Sequence, residues 1–188
     1  MSRYFYLEAS LPSLKRDDAP LITVEAFLDL CAEWVDPKRM DFLSKLQLRP
    51  VEGLDSSIVP SVAIYLAWEK DIREGLAKTR AAKLGRSDSG LSEPENFSFD
   101  ADRLVQEAAA APNPLERERV IDFQRWRKLE DLELNHIFDF DILCIYKLKL
   151  LLRCKWQVRQ LAKGAENLDK AVAAVQASPG GLQAAPSA

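Results

Sequence analysis

The chain has 188 residues, 47% of them hydrophobic and 29% charged, with 26 basic and 29 acidic side chains for a formal net charge of −3. That length suits one domain with a real core, the composition is that of a globular protein, and the charge balance excludes a general attraction to nucleic acid. The three cysteines, Cys31, Cys144 and Cys154, are odd in number and lack metal-ligand spacing. They argue against a disulfide framework or a zinc site and are expected to be small buried side chains in a reducing compartment.

The opening residues, MSRYFYLEASLPSLK, contain no clean apolar stretch, because Glu8 interrupts them. They do not read as a secretory signal, and either one short strand or an apolar helix docked on the core fits them. Thr23 can cap a helix whose Val24, Phe27, Leu28, Cys31 and Val35 follow helical spacing. Asp36-Pro37 ends it and starts a second helix, with Asp as N-cap and Pro in the first position. Met40, Leu43 and Leu46 line that helix, and Arg49-Pro50 stops it.

Pro60 opens a longer helix. Ile64, Trp68, Ile72 and Leu76 recur every four residues, Tyr65 widens the stripe, and Gly85 is a C-terminal stop. The polar, serine-rich segment RSDSGLSEPENFS reads as a mobile exposed loop over 86–99. Asp100 begins a short helix, with Leu104, Val105 and Ala108 inward, that ends before Pro112. Asn113-Pro114-Leu115-Glu116 predicts a capping box for the next helix, with Glu116 reaching back to the cap. That helix, ERERVIDFQRWRKLEDLELNHIF, has Val120, Phe123, Trp126 and Ile137 on an apolar side and charges of alternating sign, which favour solvated pairs along the helix.

Phe138 to Phe140 marks a bend. The most apolar helix follows, with Ile142, Ile145, Leu148, Leu152 and Trp156 in line and Leu143, Tyr146, Leu150 and Leu151 beside them. So wide a stripe implies contact on more than one side. Leu161, Leu168, Val172 and Val175 continue it, and Gly164 interrupts it at a cost of roughly 1 kcal/mol. Ile142 to Leu152 contains Lys147 and Lys149 and falls short of the about 20 apolar residues a membrane span needs. The organisation expected is one helical domain over 1–177 and a disordered tail over 178–188.

Motifs of catalysis are missing from the sequence. There is no phosphate-binding loop and no dinucleotide fingerprint. The single histidine, His136, stands three residues after Glu133, with Glu130 a turn earlier. A di-iron bundle needs two such steps, so His136 reads as a helix-surface imidazole near a helix C-terminus, where positive charge is favourable. Any serine or cysteine triad would also have to use His136, and nothing marks its partner. Glu130 and Glu133 read as part of a solvated face. No catalytic residue, metal or cofactor is therefore expected, and the chain is read as a protein that binds other proteins.

The basic residues of the last helix, Lys147, Lys149, Arg153, Lys155, Arg159 and Lys163, accompany a wide apolar surface with few acids. Three readings fit them: a core helix with lysine tips snorkelling to solvent, a docking surface for an acidic partner helix, and an interfacial membrane helix. Lys149, Arg153, Trp156 and Arg159 are the residues expected to meet a partner.

Three segments carry a family resemblance. They are Tyr4-Phe5-Tyr6-Leu7 through Ser10-Leu11-Pro12, then Ile22 to Leu28, and then Ile145 to Trp156 leading to Lys163-Gly164-Ala165-Glu166. Together they resemble a family of small uncharacterised bacterial proteins encoded in V-type ATPase operons. Those proteins look like a shortened form of the all-helical, funnel-shaped component that sits on the proteolipid ring of such pumps. The resemblance implies an all-α fold, an elongated multi-helix bundle or partial funnel. It implies a non-catalytic accessory or central-stalk subunit that couples the rotor stalk to the proteolipid ring in proton or sodium transport. Its partners would be other V-type ATPase subunits, with no nucleic acid. It would be cytoplasmic, peripheral to the inner membrane and in touch with it only through the complex. The alternative is a free-standing helical adaptor for another partner.

Overall fold

The computed structural model describes residues 4–85 and 99–177, with side chains for residues 4–85 and 100–159. The loop expected over 86–99 lies outside the described residues up to 98, and the tail over 178–188 lies outside them entirely. The fold is all-helical: α1 (Phe5–Ser10), α2 (Val24–Ala32), α3 (Pro37–Lys45), a 3-10 turn (Ser56–Ile58), α4 (Pro60–Lys83), α5 (Phe99–Ala110), α6 (Pro114–Glu133) and α7 (Phe140–Ala177). The opening segment is thus helix rather than strand. Tyr4 and Leu7 dock it on the core.

The helix starts follow local chemistry. Thr23 Oγ1 accepts from the Ala26 amide at 3.2 Å, Asp36 Oδ1 from Arg39 at 3.1 Å and Asn113 Oδ1 from Glu116 at 2.8 Å. Each satisfies an amide that has no partner within the helix. The capping box at Asn113 is only half formed: Glu116 turns to Arg119 Nη1, 2.8 Å away, instead of reaching back. Gly85 closes α4 with φ of 62°, the left-handed conformation that favours glycine. Gly164 does not interrupt α7, whose helix runs through it, because the cost of one glycine is small beside a long helix on both sides.

The four longer helices form a closed circuit. α4 packs on α5, α5 on α6, α6 on α7 and α7 back on α4, while α2 bridges α3 and α7. Gly75 lies where α4 meets α5, and a Cβ there would stand 2.8 Å from Val105 Cγ2. α7 is the central strut, and Leu143, Cys144, Ile145, Leu148, Leu150 and Leu152 are all buried on it. Phe27 of α2 stacks on Tyr146 with 5.1 Å between ring centroids, and the Tyr146 hydroxyl donates to Pro12 O at 2.8 Å.

Some apolar stripes are displaced from their expected positions. Ile64 is half exposed and Ile137 is 71% exposed, while Val62, Leu66, Ile121 and Leu129 face the core. Ile137 falls in the connection between α6 and α7, where no helix face exists to bury it. Cys31 and Cys144 are fully buried and Cys154 is half-buried, all as free thiols. Burial pushes the Cys31 thiol up to about 12, which keeps it protonated and unreactive. Among the described residues, no helix is long and apolar enough to cross a membrane.

Candidate functional site

The charges of α6 do not form a solvated face. Asp122 and Arg125 are each 6% exposed, and Glu69 on α4 is fully buried against them. Arg125 grips both oxygens of Glu69, with Nε to Oε2 at 2.9 Å and Nη2 on Oε1, and its Nη1 donates to Asp122 Oδ1 at 2.6 Å. Lys155 of α7 donates to the two Asp122 oxygens at 2.9 and 2.7 Å and also to Glu118. Arg159 closes the row, 3.8 Å from Glu118. Six charges of alternating sign therefore run from the middle of α4 to the outer face of α7.

This arrangement satisfies the conditions under which buried charge is tolerated: pairing, good geometry and full hydrogen bonding. Burial alone would lower the pKa of Arg125. The hydrogen bonds and charge of Glu69, with Tyr65 and Asp122 adding, raise it instead. At Glu118, burial acts upward, but Lys155, Arg125 and Arg159 together bring the carboxyl below its ordinary value. Sequence reasoning missed this network. Its signal was an acid, Glu69, inside the stripe of Tyr65 and Ile72, and Asp122 and Arg125 on the face that carries Trp126 and Leu129.

The four residues expected to meet a partner divide between interior and surface. Lys149 is 5% exposed, paired with Glu133, and its Nζ stands 5.3 Å from the Trp126 ring centre. Arg153 is 7% exposed, and its Nε donates to Asp18 O at 2.7 Å. Both pack against other parts of the chain. Trp156 is half-buried, Arg159 is exposed, and the Arg159 guanidinium lies 5.1 Å over the Trp156 ring. Lys147 is fully enclosed and donates to the carbonyls of Leu43 and Ser44, the latter at 2.9 Å. It thereby caps the C-terminal carbonyls of α3. Burial lowers its pKa to about 8.

Around Arg153 and Trp156 lies a cleft of about 320 Å³, walled by α6, α7 and the segment before α2. Arg16 stacks over Phe123 at 4.7 Å, and Arg119 stands 5.9 Å from the Trp156 ring centre. The acids of the cleft already have cations: Asp17 pairs with Arg16 at 2.9 Å, and Asp122 belongs to the buried row.

Glu130 and Glu133 are not a free acid pair. Glu130 accepts from Trp126 Nε1 at 2.6 Å, and Glu133 holds Lys149. His136 lies just past the end of α6, in the connection rather than on a helix surface. Its Nδ1 is 2.7 Å from Asp139 Oδ2, and its Nε2 is 3.8 Å from Asp141 Oδ1. The three side chains bring potential cation ligands within 4.8 Å of one another. Both carboxylates also serve the fold: Asp139 accepts from the Ile142 amide at 2.9 Å and Asp141 from the Ser61 amide at 3.1 Å, tying the starts of α7 and α4 together. The bend at Phe138, with φ of 56°, makes this convergence.

Fold and site together define an all-helical protein braced by interior ion pairs, with an arginine- and tryptophan-lined cleft on one side. A family model described as "Protein of unknown function (DUF2764)" matches residues 60–178, and the chain belongs to that family. The match covers α4 to α7, which hold the buried charges and most of the cleft. Comparison with curated proteins and with solved structures gives no match.

Proposed function

We propose that this chain is a non-catalytic accessory or central-stalk subunit of a bacterial V-type ATPase, joining the rotor stalk to the proteolipid ring. The observation that carries the reading is the resemblance of three separate segments to proteins of such operons. The fold is consistent with a common purpose for them. Tyr4 and Leu7, Phe27, and Ile145 through Leu152 belong to one core, and Tyr146 touches both of the earlier segments. A coupling element has to transmit torque without yielding, and interior ion pairs that lock α4, α6 and α7 suit that demand. The finer parts of the reading are an arrangement like that of the ring-seated funnel, a cytoplasmic location and contact with the membrane only through the complex.

The test is affinity purification of the tagged chain from solubilised native membranes, followed by identification of what co-purifies. The expected result is recovery of stalk and proteolipid subunits in fixed ratio. Recovery of the chain alone, from an extract in which the ATPase complex is intact, would overturn the reading and favour a free-standing adaptor.

A further inference from the structure

The cleft beside α7 contains a cation whose charge the fold does not balance. Arg153 is only 7% exposed, yet its one hydrogen bond among the described residues is from Nε to a backbone oxygen, Asp18 O. Its two terminal nitrogens make no hydrogen bond and no ion pair with a described residue, and they border the cleft. A guanidinium is recognised best by a planar pair of oxygens across those nitrogens. Burying it without them is unfavourable.

The surroundings specify what would bring the oxygens. Asp17 and Asp122 share the cleft, but Arg16 engages the first and Arg125 and Lys155 the second. Arg119 adds a further cation at the rim. The remaining walls are flat and apolar: Phe123, Trp126, Leu152 and Trp156. A volume of about 320 Å³ lies at the small end of ligand pockets. It suits one ring or short aliphatic body, whereas a bare inorganic ion would leave the aromatic walls without contact.

The geometry points to a binding site for a small organic oxyanion, a carboxylate or phosphate ester on a single aromatic or short aliphatic body. The oxyanion lies against the Arg153 terminal nitrogens and the body between Trp126 and Trp156. The site stands independently of the rotary-pump reading, because it rests on residues of this chain alone.

Phenylpropionate and phenyl phosphate are suitable probes, and the neutral phenylpropanol is the matched control. Titration of the full-length protein is followed by calorimetry and by tryptophan fluorescence, since Trp126 and Trp156 line the site. The two anions are expected to bind saturably and at least about tenfold more tightly than the alcohol. Arg153→Gln should remove that preference, while Arg103→Gln, remote from the cleft, should leave it unchanged. If Arg153→Gln fails to fold, Arg119→Gln and Arg16→Gln at the rim should each weaken the anions several-fold and leave the alcohol as it was. Equal binding of acid and alcohol, or no saturable binding of either anion, would overturn the proposal. So would an unchanged anion preference in folded Arg153→Gln, or in both rim variants.

Discussion

Arg125 and Arg153 are equally hidden from water, at 6% and 7% exposure, and sit on neighbouring helices, yet the chain treats them in opposite ways. Arg125 meets two carboxylates, and its pKa is raised despite burial. Arg153 meets one backbone oxygen. Burial lowers its pKa, and the charges of Asp17 and Asp18 do not make up the difference. The first cation holds the fold together. The second is held in place by the fold with its terminal nitrogens toward a cleft. The contrast shows that a buried charge indicates a function only after its partners have been counted.

The largest expected effect tests the balanced member. Arg125→Met leaves Glu69 buried and uncompensated and should cost about 3–5 kcal/mol of stability in denaturant unfolding. The double variant Glu69→Leu with Arg125→Met removes both charges and should recover most of that loss. If the double variant were as unstable as the single one, the Glu69–Arg125 pair would not be the source of the effect.

Lys147, on α7, is a third buried cation and offers an intermediate case, with carbonyls as its hydrogen-bond partners. Its folded pKa of about 8 lies below the ordinary 10.5. The folded chain therefore releases this proton first, so stability is lowest below about pH 8 and rises as pH climbs toward 10.5. The gain should be about 1–3 kcal/mol relative to Lys147→Met, limited by the two carbonyl contacts that favour the charged form. The comparison with the variant matters because the buried thiols of Cys31 and Cys144 have raised pKa values. Their stabilisation falls as pH rises from about 9, which masks the lysine in the wild type. A wild-type and variant difference that stays flat between pH 8 and 10.5 would contradict the assignment.

Gly75→Ala should cost about 1–3 kcal/mol by pressing a methyl group on Val105, whatever the state of either arginine. Removing Arg153 should matter less. Arg153→Met should change the stability of the ligand-free protein by under about 1.5 kcal/mol, since a lost hydrogen bond to Asp18 is offset by relief of an unbalanced charge. Smallest of all is Ser61→Ala. Its Oγ is buried with no hydrogen-bond partner, so its loss should be neutral or stabilising by a few tenths of a kcal/mol.

The sequence made the helix boundaries legible because they are local. Thr23, Asp36-Pro37 and Asn113-Pro114 each act on an amide within three residues, and Gly85 acts on its own backbone. The opening helix was ambiguous because its apolar residues fit two periodicities and its support comes from the core. The Glu69–Arg125 pair was not legible for a different reason: its members are 56 positions apart, and alternating charge along α6 looks the same whether it faces solvent or a neighbouring helix. Lys149 and Arg153 looked like surface cations because long basic side chains usually reach water. What enclosed them was Glu133 in one case and the segment around Asp18 in the other, neither of which the pattern of α7 contains. The cleft needs Arg16, Arg119 and Trp156 from three parts of the chain, and only the fold brings them together.

Unfolding midpoints of the wild type and Arg153→Met, each with and without phenyl phosphate, test the contrast most directly. A ligand bound only by the folded state raises stability in proportion to its occupancy. The account predicts that phenyl phosphate stabilises the wild type in a saturating manner and leaves Arg153→Met where it was. Equal stabilisation of both proteins, or of neither, would contradict it.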